Sequence, residues 1–400
     1  MVASSRWKPG RLGPQVDGYQ AWLGKRGYSP DTVRNMLKLL GQIGRWLEVE
    51  NLAVTDLDES HLDRFIAARR AAGDRRCPGP RGMRPLLGFL RESTLISAPV
   101  EQTTALDGLL DRYQRWMVTD RGLAEATVLR YRKTARRFLN VHAMSKTGLD
   151  PTLLTGAAVN TFLLGECARV SAGSAKGRVG ELRSLLRFLY LGGDTPAQLG
   201  TAVPPVGGWR LATIPQTVSP EAVQRLLDCC DKTVPVGVRD FAMIMLLARL
   251  GLRSIEVARL ELADLDWRAG EIVVRGKAKR HDRLPLPRPV GEALVDYLRE
   301  VRGRVTDPHV FLTCRAPTGP IRAELVGDVV ERACHRAGLP VVGPHRLRHS
   351  LAADMLRHGA GLVAIGQVLR HQDLATTAVY AKVDLVVLGE IAKPWIGNVS

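Results

Sequence analysis

Long hydrophobic runs are absent from this sequence of 400 residues. The longest uninterrupted apolar run in its core-like part, residues 241–248, ends at Arg249 and is far too short to span a bilayer. The first ten residues, MVASSRWKPG, also lack the apolar stretch of a secretory signal peptide. With 45% hydrophobic and 24% charged residues, the composition is that of a globular protein of two or three domains. We therefore expect a cytoplasmic protein with no membrane contact.

Sequence signatures of metal binding and of nucleotide binding are missing as well. The six cysteines form no CxxC pair, so we expect free thiols, buried or half-buried, in a reducing compartment. There is no GxxxxGK[ST] phosphate loop and no GxSxG nucleophile elbow. His345 and His349 have the spacing of a zinc-protease helix, but Arg346 stands where that motif needs glutamate. We expect neither a metal nor a cofactor.

Acidic residues are few relative to basic ones, and the net charge is +17. Residues 1–100 carry 16 basic and 10 acidic side chains, residues 101–200 carry 14 and 9, and residues 201–400 carry 27 and 21. A basic tail would concentrate this excess at one end of the chain. The even distribution instead indicates that several domains contact a polyanion, for which nucleic acid is the natural candidate. A generally basic proteome, or simple solubility, is the alternative explanation.

The first half of the chain contains the same pattern twice. YQAW at Tyr19 recurs as YQRW at Tyr113, RGYSPDTV recurs as RGLAEATV, and RPLLGFL recurs as RSLLRFL. The offsets drift only from 94 to 99 residues, which is typical of a duplicated domain with small insertions. In the first copy, Ser29 followed by Pro30 predicts the start of a helix whose apolar face comprises Val33, Met36, Leu37, Leu40 and Ile43.

A long stretch rich in Pro and Gly, residues 192–220, separates these copies from the rest of the chain. Beyond it the periodicity predicts several helices and a small β-hairpin around the basic turn GKAKRHD. The predicted fold is mainly α, with a small β-hairpin or sheet in the last domain. The predicted divisions are a helical domain at 1–98, a second helical domain at 105–195, a linker at 196–216 and a final domain at 217–400.

One helix of the second copy is strongly basic. Between Ala126 and Leu149 there are six cations and no acidic residue. Residues three and four apart share a helix face, so such a face suits a phosphate backbone, where each cation displaces condensed counterions. A solvated surface face is the alternative, although it would more often include Glu or Asp. The predicted DNA-binding residues of this helix are Arg130, Lys133, Arg136 and Arg137.

The final domain holds a set of cations and imidazoles, together with one tyrosine near the C-terminus. Two guanidiniums can hold the non-bridging oxygens of a phosphodiester and stabilise the charge of a pentacoordinate transition state. A lysine or histidine can protonate the departing alkoxide, and a tyrosine can attack phosphorus and hold the phosphate covalently. The candidate catalytic residues are Arg253, Lys277, His345, Arg348, His371 and Tyr380.

The segments that carry these residues resemble the tyrosine recombinases, the superfamily of phage integrases and bacterial chromosome-dimer resolvases. LGLRSIEVARLELADLDW is similar to the first arginine motif, with Arg253 as its arginine and Glu256 three residues later. VRGKAKRHDRLPLP is similar to the hairpin that carries the lysine, and it places Lys277 24 residues after Arg253. PHRLRHS and LRHQDLATTAVY are similar to the HxxR box and to the segment with the second histidine and the tyrosine. The resemblance covers roughly residues 105–390. Within this range, the second helical copy of the chain resembles the family's SAM-like core-binding domain.

The resemblance implies a role for each candidate residue. Arg253 and Arg348 would bind the scissile phosphate, and Lys277 would be the general acid for the leaving 5′-oxygen. The two histidines would orient the phosphate and assist proton transfer. Tyr380 would form a 3′-phosphotyrosyl bond, and strand exchange between double-stranded DNA sites would pass through a Holliday junction.

The resemblance also implies partners. Two subunits would occupy each DNA site and four would form the synapse, with the apolar C-terminal tail from Leu385 onward docking into a neighbouring protomer. The alternative for this tail is a helix packed on its own domain. Accessory DNA-bending proteins or a partner recombinase, and association with the nucleoid, are compatible with this expectation.

Three departures from the family pattern stand out. Arg370 occupies the position before the second histidine, where glycine is usual, and we expect it either to add a phosphate contact or to disturb the turn. Ala278 replaces the second glycine of the hairpin's usual GKG, which makes Lys279 and Arg280 rivals to Lys277 and candidates for DNA contact. The extra N-terminal copy is not part of the minimal two-domain plan.

Other functions remain as alternatives at this point. A type IB topoisomerase shares the tyrosine chemistry, but it would act as a monomer without sequence specificity. A DNA-binding protein of the same fold without activity would lack one of the six catalytic positions, and all six are present. Integrase, transposon recombinase of a mobile element, and chromosome or plasmid dimer resolvase are not separated by the sequence.

Overall fold

The computed structural model describes residues 8–74, 78–97, 104–170, 172–204, 217–276, 281–303, 305–371 and residue 377. Within these ranges the protein is mainly helical with two small antiparallel sheets, which confirms the predicted fold class. No helix in the described part of the chain is long and apolar enough to cross a membrane.

The first helical region has its own core. Ser29 caps the second helix as predicted, because its side chain accepts a hydrogen bond from the backbone N–H of Thr32, and Pro30 occupies the first helical position. Leu40 and Ile43 of the predicted apolar face are fully buried in that core. The helices of this region are α1 (Val16–Lys25), α2 (Pro30–Val49), α3 (Glu59–Ala71) and α4 (Pro80–Glu92).

The second helical region has a separate core and a two-stranded β-ribbon. Its 3-10 turn Leu199–Ala202 is followed by Val203, which is buried in that core. The packing of this region thus extends to Val203, inside the stretch 196–216 that the sequence predicts as a linker. The elements are α5 (Ala105–Thr119), α6 (Glu125–His142), β1 (Met144–Ser145), β2 (Gly148–Leu149), α7 (Gly156–Cys167) and α8 (Ala172–Leu191).

The repeated sequence segments form matching aromatic clusters in the two regions. In the first, the ring centroids of Tyr19 and Trp22 lie 5.2 and 6.1 Å from that of Phe89. In the second, Tyr113 and Trp116 lie 5.1 and 5.6 Å from Phe188. An arginine lies over the tryptophan in each, Arg26 over Trp22 and Arg121 over Trp116. Residues at corresponding places in the two segments, 94 to 99 positions apart, thus make similar packing contacts.

The final region combines a helical core with a three-stranded antiparallel sheet in the order β3-β4-β5. The predicted hairpin is present: Ile272 pairs with Leu284 and Val274 with Asp282, which places alternate apolar side chains on the core. The first and final regions belong to one compact unit, and the second region forms a separate one. The elements are α9 (Pro220–Asp228), α10 (Pro235–Leu250), α11 (Ser254–Ala258), β3 (Leu265–Asp266), β4 (Glu271–Arg275), β5 (His281–Pro285), α12 (Arg288–Asp296), α13 (Ala323–Arg336), α14 (Pro344–Arg357) and α15 (Leu362–Val368).

Candidate active site

Arg253 is positioned by a sharp change of direction between α10 and α11. Gly251 ends α10 with φ +58°, a conformation that favours glycine. A Cβ on Gly251 would lie 2.9 Å from a Leu369 methyl carbon, so the chain after α15 packs directly on this turn. Arg253 then occupies the N-cap position of α11, and the exposed fraction of its side chain is 36%.

Glu256 holds Arg253 in place. Its carboxylate accepts a hydrogen bond from the Arg253 backbone N–H at 2.8 Å through Oε2 and from the Arg253 guanidinium at 2.7 Å through Oε1. The side chain of Glu256 is buried, so this charge has little competition from water. The sequence spacing of the first arginine motif therefore corresponds to a local ion pair that orients the arginine.

Arg348 connects two turns from the interior. It projects from α14, is buried, and donates hydrogen bonds from its guanidinium to the carbonyl oxygens of Gly251 and Leu369. Gly251 lies two residues before Arg253, and Leu369 lies two residues before His371. The guanidinium of Arg348 thus fixes the segments that carry two other candidate residues.

The turn after α15 brings the second histidine into the same place. The His371 backbone N–H donates to the Gly366 carbonyl at 2.9 Å, and His371 Nδ1 lies 2.8 Å from Thr377 Oγ1. Thr377 is buried, and a Cβ on Gly366 would lie 3.0 Å from its hydroxyl oxygen. Between these residues, Arg370 has φ +54° and reaches Glu256, with 2.8 Å between Nη2 and Oε2.

The histidines of the site are held in their neutral forms. Burial, followed by the charges of Arg348 and Arg253, lowers the pKa of His371 to about 4. Burial, Arg348 and Arg253 also lower the pKa of His345, although its side chain remains accessible to solvent. For His349, burial and then the charge of His345 lower the pKa. At neutral pH each imidazole is therefore uncharged, with one protonated ring nitrogen and one that is a hydrogen-bond acceptor.

The predicted lysine hairpin is anchored beside the first arginine motif. Arg275, the last residue of β4, pairs through Nη2 with Glu261 at 2.8 Å and with the buried Asp264 at 2.9 Å. Both carboxylates belong to the segment that follows α11. Burial lowers the pKa of Arg370, and the charges of Glu256 and of Asp282 in the opposite strand act against this lowering.

Four of the six predicted catalytic residues are gathered here from distant parts of the chain, namely Arg253, His345, Arg348 and His371. The positions of Lys277 and Tyr380, and of the predicted DNA contacts Lys279 and Arg280, lie outside the described residues. Sequence reasoning did not single out Thr377, since a hydroxyl in the run ATT carries no signal of a histidine partner. It also missed that Arg370 pairs with Glu256, although the replacement of an expected glycine marked the position.

The buried location of Arg370 disfavours the phosphate contact expected for it. The exposed fraction of its side chain is 4%, and its guanidinium is engaged with a carboxylate. A phosphate outside the protein could reach it only after a rearrangement.

Three arginines of the basic helix α6 are paired with carboxylates. Arg130 pairs with Glu181 at 2.8 Å, Arg136 with Asp107 at 2.6 Å, and Arg137 with Glu166 at 2.7 Å. The carboxylates come from α5, α7 and α8. The lack of acidic residues within α6 itself therefore does not leave the positive charge of these arginines unbalanced. These arginine side chains are still 41–56% exposed, and Lys133 is exposed as well.

Residues 216–385 match the model of the Phage integrase family. Over 405 aligned positions the sequence is 38% identical to the integrase/recombinase y4rA of Sinorhizobium fredii, with 99% of this chain and 97% of that protein covered. The chain belongs to the phage integrase family of tyrosine recombinases. This tyrosine recombinase is also 27% identical to the tyrosine recombinase XerD of Listeria monocytogenes, over 72% of this chain and 98% of that protein.

Solved structures share the fold of this tyrosine recombinase. The XerH recombinase bound to a difH substrate in a post-cleavage complex matches with a TM-score of 0.53 at 19% identity, over 74% of this chain and 98% of that one. A lambda integrase dimer bound to a core site matches with a TM-score of 0.52 at 17% identity, over 80% and 85%. As a member of this family, the protein is a site-specific recombinase that cleaves and rejoins DNA strands, and the topoisomerase alternative is not favoured.

Proposed function

We propose that this recombinase cleaves DNA by transesterification on Tyr380, with a 3′-phosphotyrosyl intermediate and exchange through a Holliday junction. The observation that carries the proposal is the convergence of Arg253, Arg348 and His371, which the two carbonyl contacts of Arg348 hold together. Three separate segments of the sequence converge on this one guanidinium. Such an arrangement suits a phosphodiester whose charge must be stabilised in the transition state.

The two arginines have different proposed roles in stabilising the charge of the phosphate. Arg253 is oriented by Glu256 yet keeps more than a third of its side chain accessible, so it is the guanidinium that can contact the non-bridging oxygens of the scissile phosphate. Arg348 is buried, and it adds positive charge from the interior while it fixes both turns. Together they supply the electrostatic stabilisation that other phosphoryl-transfer enzymes obtain from a metal ion.

The proposed role of the two histidines is proton transfer and hydrogen bonding to the phosphate. His345 and His371 are neutral at physiological pH, so each can accept the phenolic proton or donate a hydrogen bond to a phosphate oxygen. Lys277 is proposed as the general acid that protonates the leaving 5′-oxygen. What supports this role is that Arg275, two residues before Lys277, pairs with Glu261 and Asp264 in the segment that follows α11.

Tyr380 follows Thr377 by three residues. Three residues of fully extended chain reach at most about 11 Å. The hydroxyl of Thr377 lies against His371, so the described chain reaches the imidazoles three residues before Tyr380 in sequence. This short separation in sequence supports Tyr380 as the nucleophile rather than as a packing residue.

DNA binding is proposed to involve the second helical region together with the final region, on double-stranded recombination sites. XerH has been crystallised on its difH substrate, and lambda integrase as a dimer on a core site and as a tetramer on a Holliday junction. By analogy we propose dimers on each site and a tetramer in the synapse, with the C-terminal tail as the linking element; that tail lies outside the described residues. We also propose that the protein acts in the cytoplasm, in association with the nucleoid, on integrative or transposable DNA. Accessory proteins or a partner recombinase are candidates for controlling the recombination.

The test is covalent trapping on a nicked duplex built from the inverted repeats or attachment site that flank the gene. The wild type should accumulate a denaturant-resistant protein–DNA adduct, and Tyr380→Phe should form none while binding the same DNA. Chelation of divalent cations should leave the adduct yield unchanged, because guanidiniums supply the charge. An adduct that survives in Tyr380→Phe would reject this nucleophile, and no adduct on any flanking segment would reject the proposed chemistry.

A further inference from the structure

Arg370 stands where tyrosine recombinases usually have glycine, and in the structure it pairs with Glu256. The residue adopts φ +54°, in the left-handed region that favours glycine. Its side chain folds inward instead of toward solvent, with Nη1 donating to the Val368 carbonyl at 3.1 Å and Nη2 donating to Glu256 at 2.8 Å. A strained backbone conformation that is kept together with a buried ion pair points to a role for that pair.

Glu256 is shared between two guanidiniums. Oε1 accepts from Arg253 at 2.7 Å and Oε2 accepts from Arg370 at 2.8 Å. Burial alone would raise the pKa of Glu256, but the charge of Arg370, followed by the contacts with Arg253, outweighs it and the pKa is lowered. The carboxylate is therefore ionised, and both arginines carry their charge.

The charge balance changes with Arg370. Arg253 and Glu256 alone sum to zero, so a phosphate facing Arg253 would meet a nearly neutral pair. With Arg370 the three side chains sum to +1, and solvent screens little between the two buried ones, Glu256 and Arg370. The second guanidinium also occupies Oε2, which leaves Arg253 one carboxylate oxygen for its side chain.

On the basis of the proposed function, we propose that Arg370 is a positioning residue that offsets Glu256, so that Arg253 faces the scissile phosphate as an uncompensated cation. Arg370 itself need not touch DNA, since its side chain is buried. Its effect on the reaction passes through the shared carboxylate. The position thus contributes to the electrostatics of catalysis in this chain, whereas a glycine there would supply only backbone freedom.

The test measures single-turnover adduct formation on the nicked substrate at saturating protein, with DNA affinity measured separately. Arg370→Gly should slow adduct formation by about 10- to 100-fold, less than the roughly 100- to 1,000-fold lost with a donor that contacts the reacting group, because Arg370 acts through Glu256. It should change DNA affinity by less than about twofold. Adding Glu256→Gln to Arg370→Gly removes the unbalanced charge and should recover part of the rate; recovery is incomplete because Glu256 also orients Arg253. Arg288→Ala, which removes an exposed cation paired with Glu292 on α12, is the matched charge control.

A second substrate separates charge from simple structural support. With a methylphosphonate at the scissile position, one non-bridging oxygen is replaced by a methyl group and the phosphate is neutral. The penalty of Arg370→Gly should then shrink to about threefold or less, because less charge needs stabilisation. An equal penalty on both substrates would show that Arg370 acts only on packing and would overturn the proposal.

The outcomes also distinguish this inference from the proposed function. If the wild type forms a Tyr380-dependent adduct and Arg370→Gly forms it equally fast, only the role of Arg370 is rejected. If the wild type forms none, the proposed function fails first. Should Arg370→Gly not bind DNA, Arg370→Lys and Arg370→Gln replace it: Lys keeps the charge and should cleave at least about tenfold faster than Gln. Equal rates for these two would also overturn the proposal.

Discussion

A single residue, Arg370, combines an unfavourable backbone conformation with a favourable buried contact. An L-residue other than glycine costs about 1–2 kcal/mol in the left-handed region. The ion pair with Glu256 offsets that cost only while Glu256 is charged and buried. Backbone and side chain therefore act in opposite directions at this position.

These two effects can be separated by comparing two substitutions of Arg370. Arg370→Gly and Arg370→Ala both remove the ion pair, but only alanine retains the strain at φ +54°. We expect Arg370→Ala to be less stable than Arg370→Gly by about 1 kcal/mol in urea unfolding. Equal free energies of unfolding would mean that the turn adopts another conformation once the guanidinium is gone.

His371 predicts a pH dependence of stability. Its pKa is lowered to about 4 in the folded protein, against an ordinary value of 6.5. Between these values the unfolded chain binds more protons, so the free energy of unfolding should fall as the pH is lowered from about 6.5 to 4. His345 and His349 shift in the same direction and add to the effect.

The measurement is urea unfolding at several pH values, with His371→Gln as the comparison. The substitution should flatten the decline in this window without abolishing it, because the two other histidines remain. A decline of unchanged steepness in His371→Gln would assign the pH dependence to other groups.

At the scale of elements, the active site depends on how closely the end of α10 packs on the end of α15. Gly251 has φ +58°, and a Cβ there would lie 2.9 and 3.1 Å from methyl carbons of Leu369 and Leu351. Gly270 has a similar φ of +65° but has nothing within 4 Å of its Cβ position. Both glycines therefore need a backbone conformation with positive φ, but only Gly251 has side chains packed against its Cβ position.

Alanine at these two positions should have unequal effects. Gly270→Ala should cost about 1 kcal/mol from backbone strain alone. Gly251→Ala should cost about 2–4 kcal/mol, since crowding against leucine side chains adds to the strain. It should also slow adduct formation, because the turn carries Arg253. Similar losses of stability in thermal unfolding for both variants would contradict the close packing described for α10 and α15.

The hairpin provides a second prediction at this scale. Arg275 is partly exposed, but its partner Asp264 is buried, so Arg275→Ala leaves a buried carboxylate short of a donor. We expect a loss of about 1 kcal/mol in the free energy of unfolding and slower adduct formation, since the hairpin base loosens. Arg283→Ala on the next strand breaks an exposed pair with Glu271 and should stay within about 0.5 kcal/mol of wild type.

At the scale of the whole molecule, the two helical copies share their packing but differ in charge. The sequence offset of 95 residues aligns Arg130, Arg136 and Arg137 of α6 with Asn35, Gly41 and Gln42 of α2. Lys133 aligns with Lys38, the cation that the two faces share. The first region therefore shares the aromatic cluster of the second without its basic face. It also contacts the final region, because the backbone N–H of Thr318 donates to the carbonyl of Arg26 at 2.9 Å.

The salt dependence of DNA binding tests which cations of α6 meet phosphate. Within the described residues no carboxylate pairs with Lys133, whereas Arg136 must exchange Asp107 for a phosphate. We expect Lys133→Ala to reduce the slope of log affinity against log salt by about 0.9, and Arg136→Ala to reduce it less. An unchanged slope in both variants would place the DNA on another face of this region.

The sequence by itself determined the class of chemistry and the order of its parts. The arginine motif, the hairpin, the HxxR box and the ATTAVY segment depend on local spacing, and the helix cap at Ser29 and the hairpin register are equally local. Such features are readable because helices and hairpins form between residues near in sequence. The repeat was readable for the same reason, since each copy carries the aromatic residues of its own core.

Only the tertiary structure decided the partners of the charges. The carboxylates that pair with the α6 arginines come from other helices, and Glu256 and Arg370 are separated by 114 residues. Ion pairs and burial depend on distances between elements that the local pattern does not contain. The arginine found in place of a glycine was visible in the sequence, but its inward direction and its carboxylate partner follow only from the way α11, α14 and α15 pack.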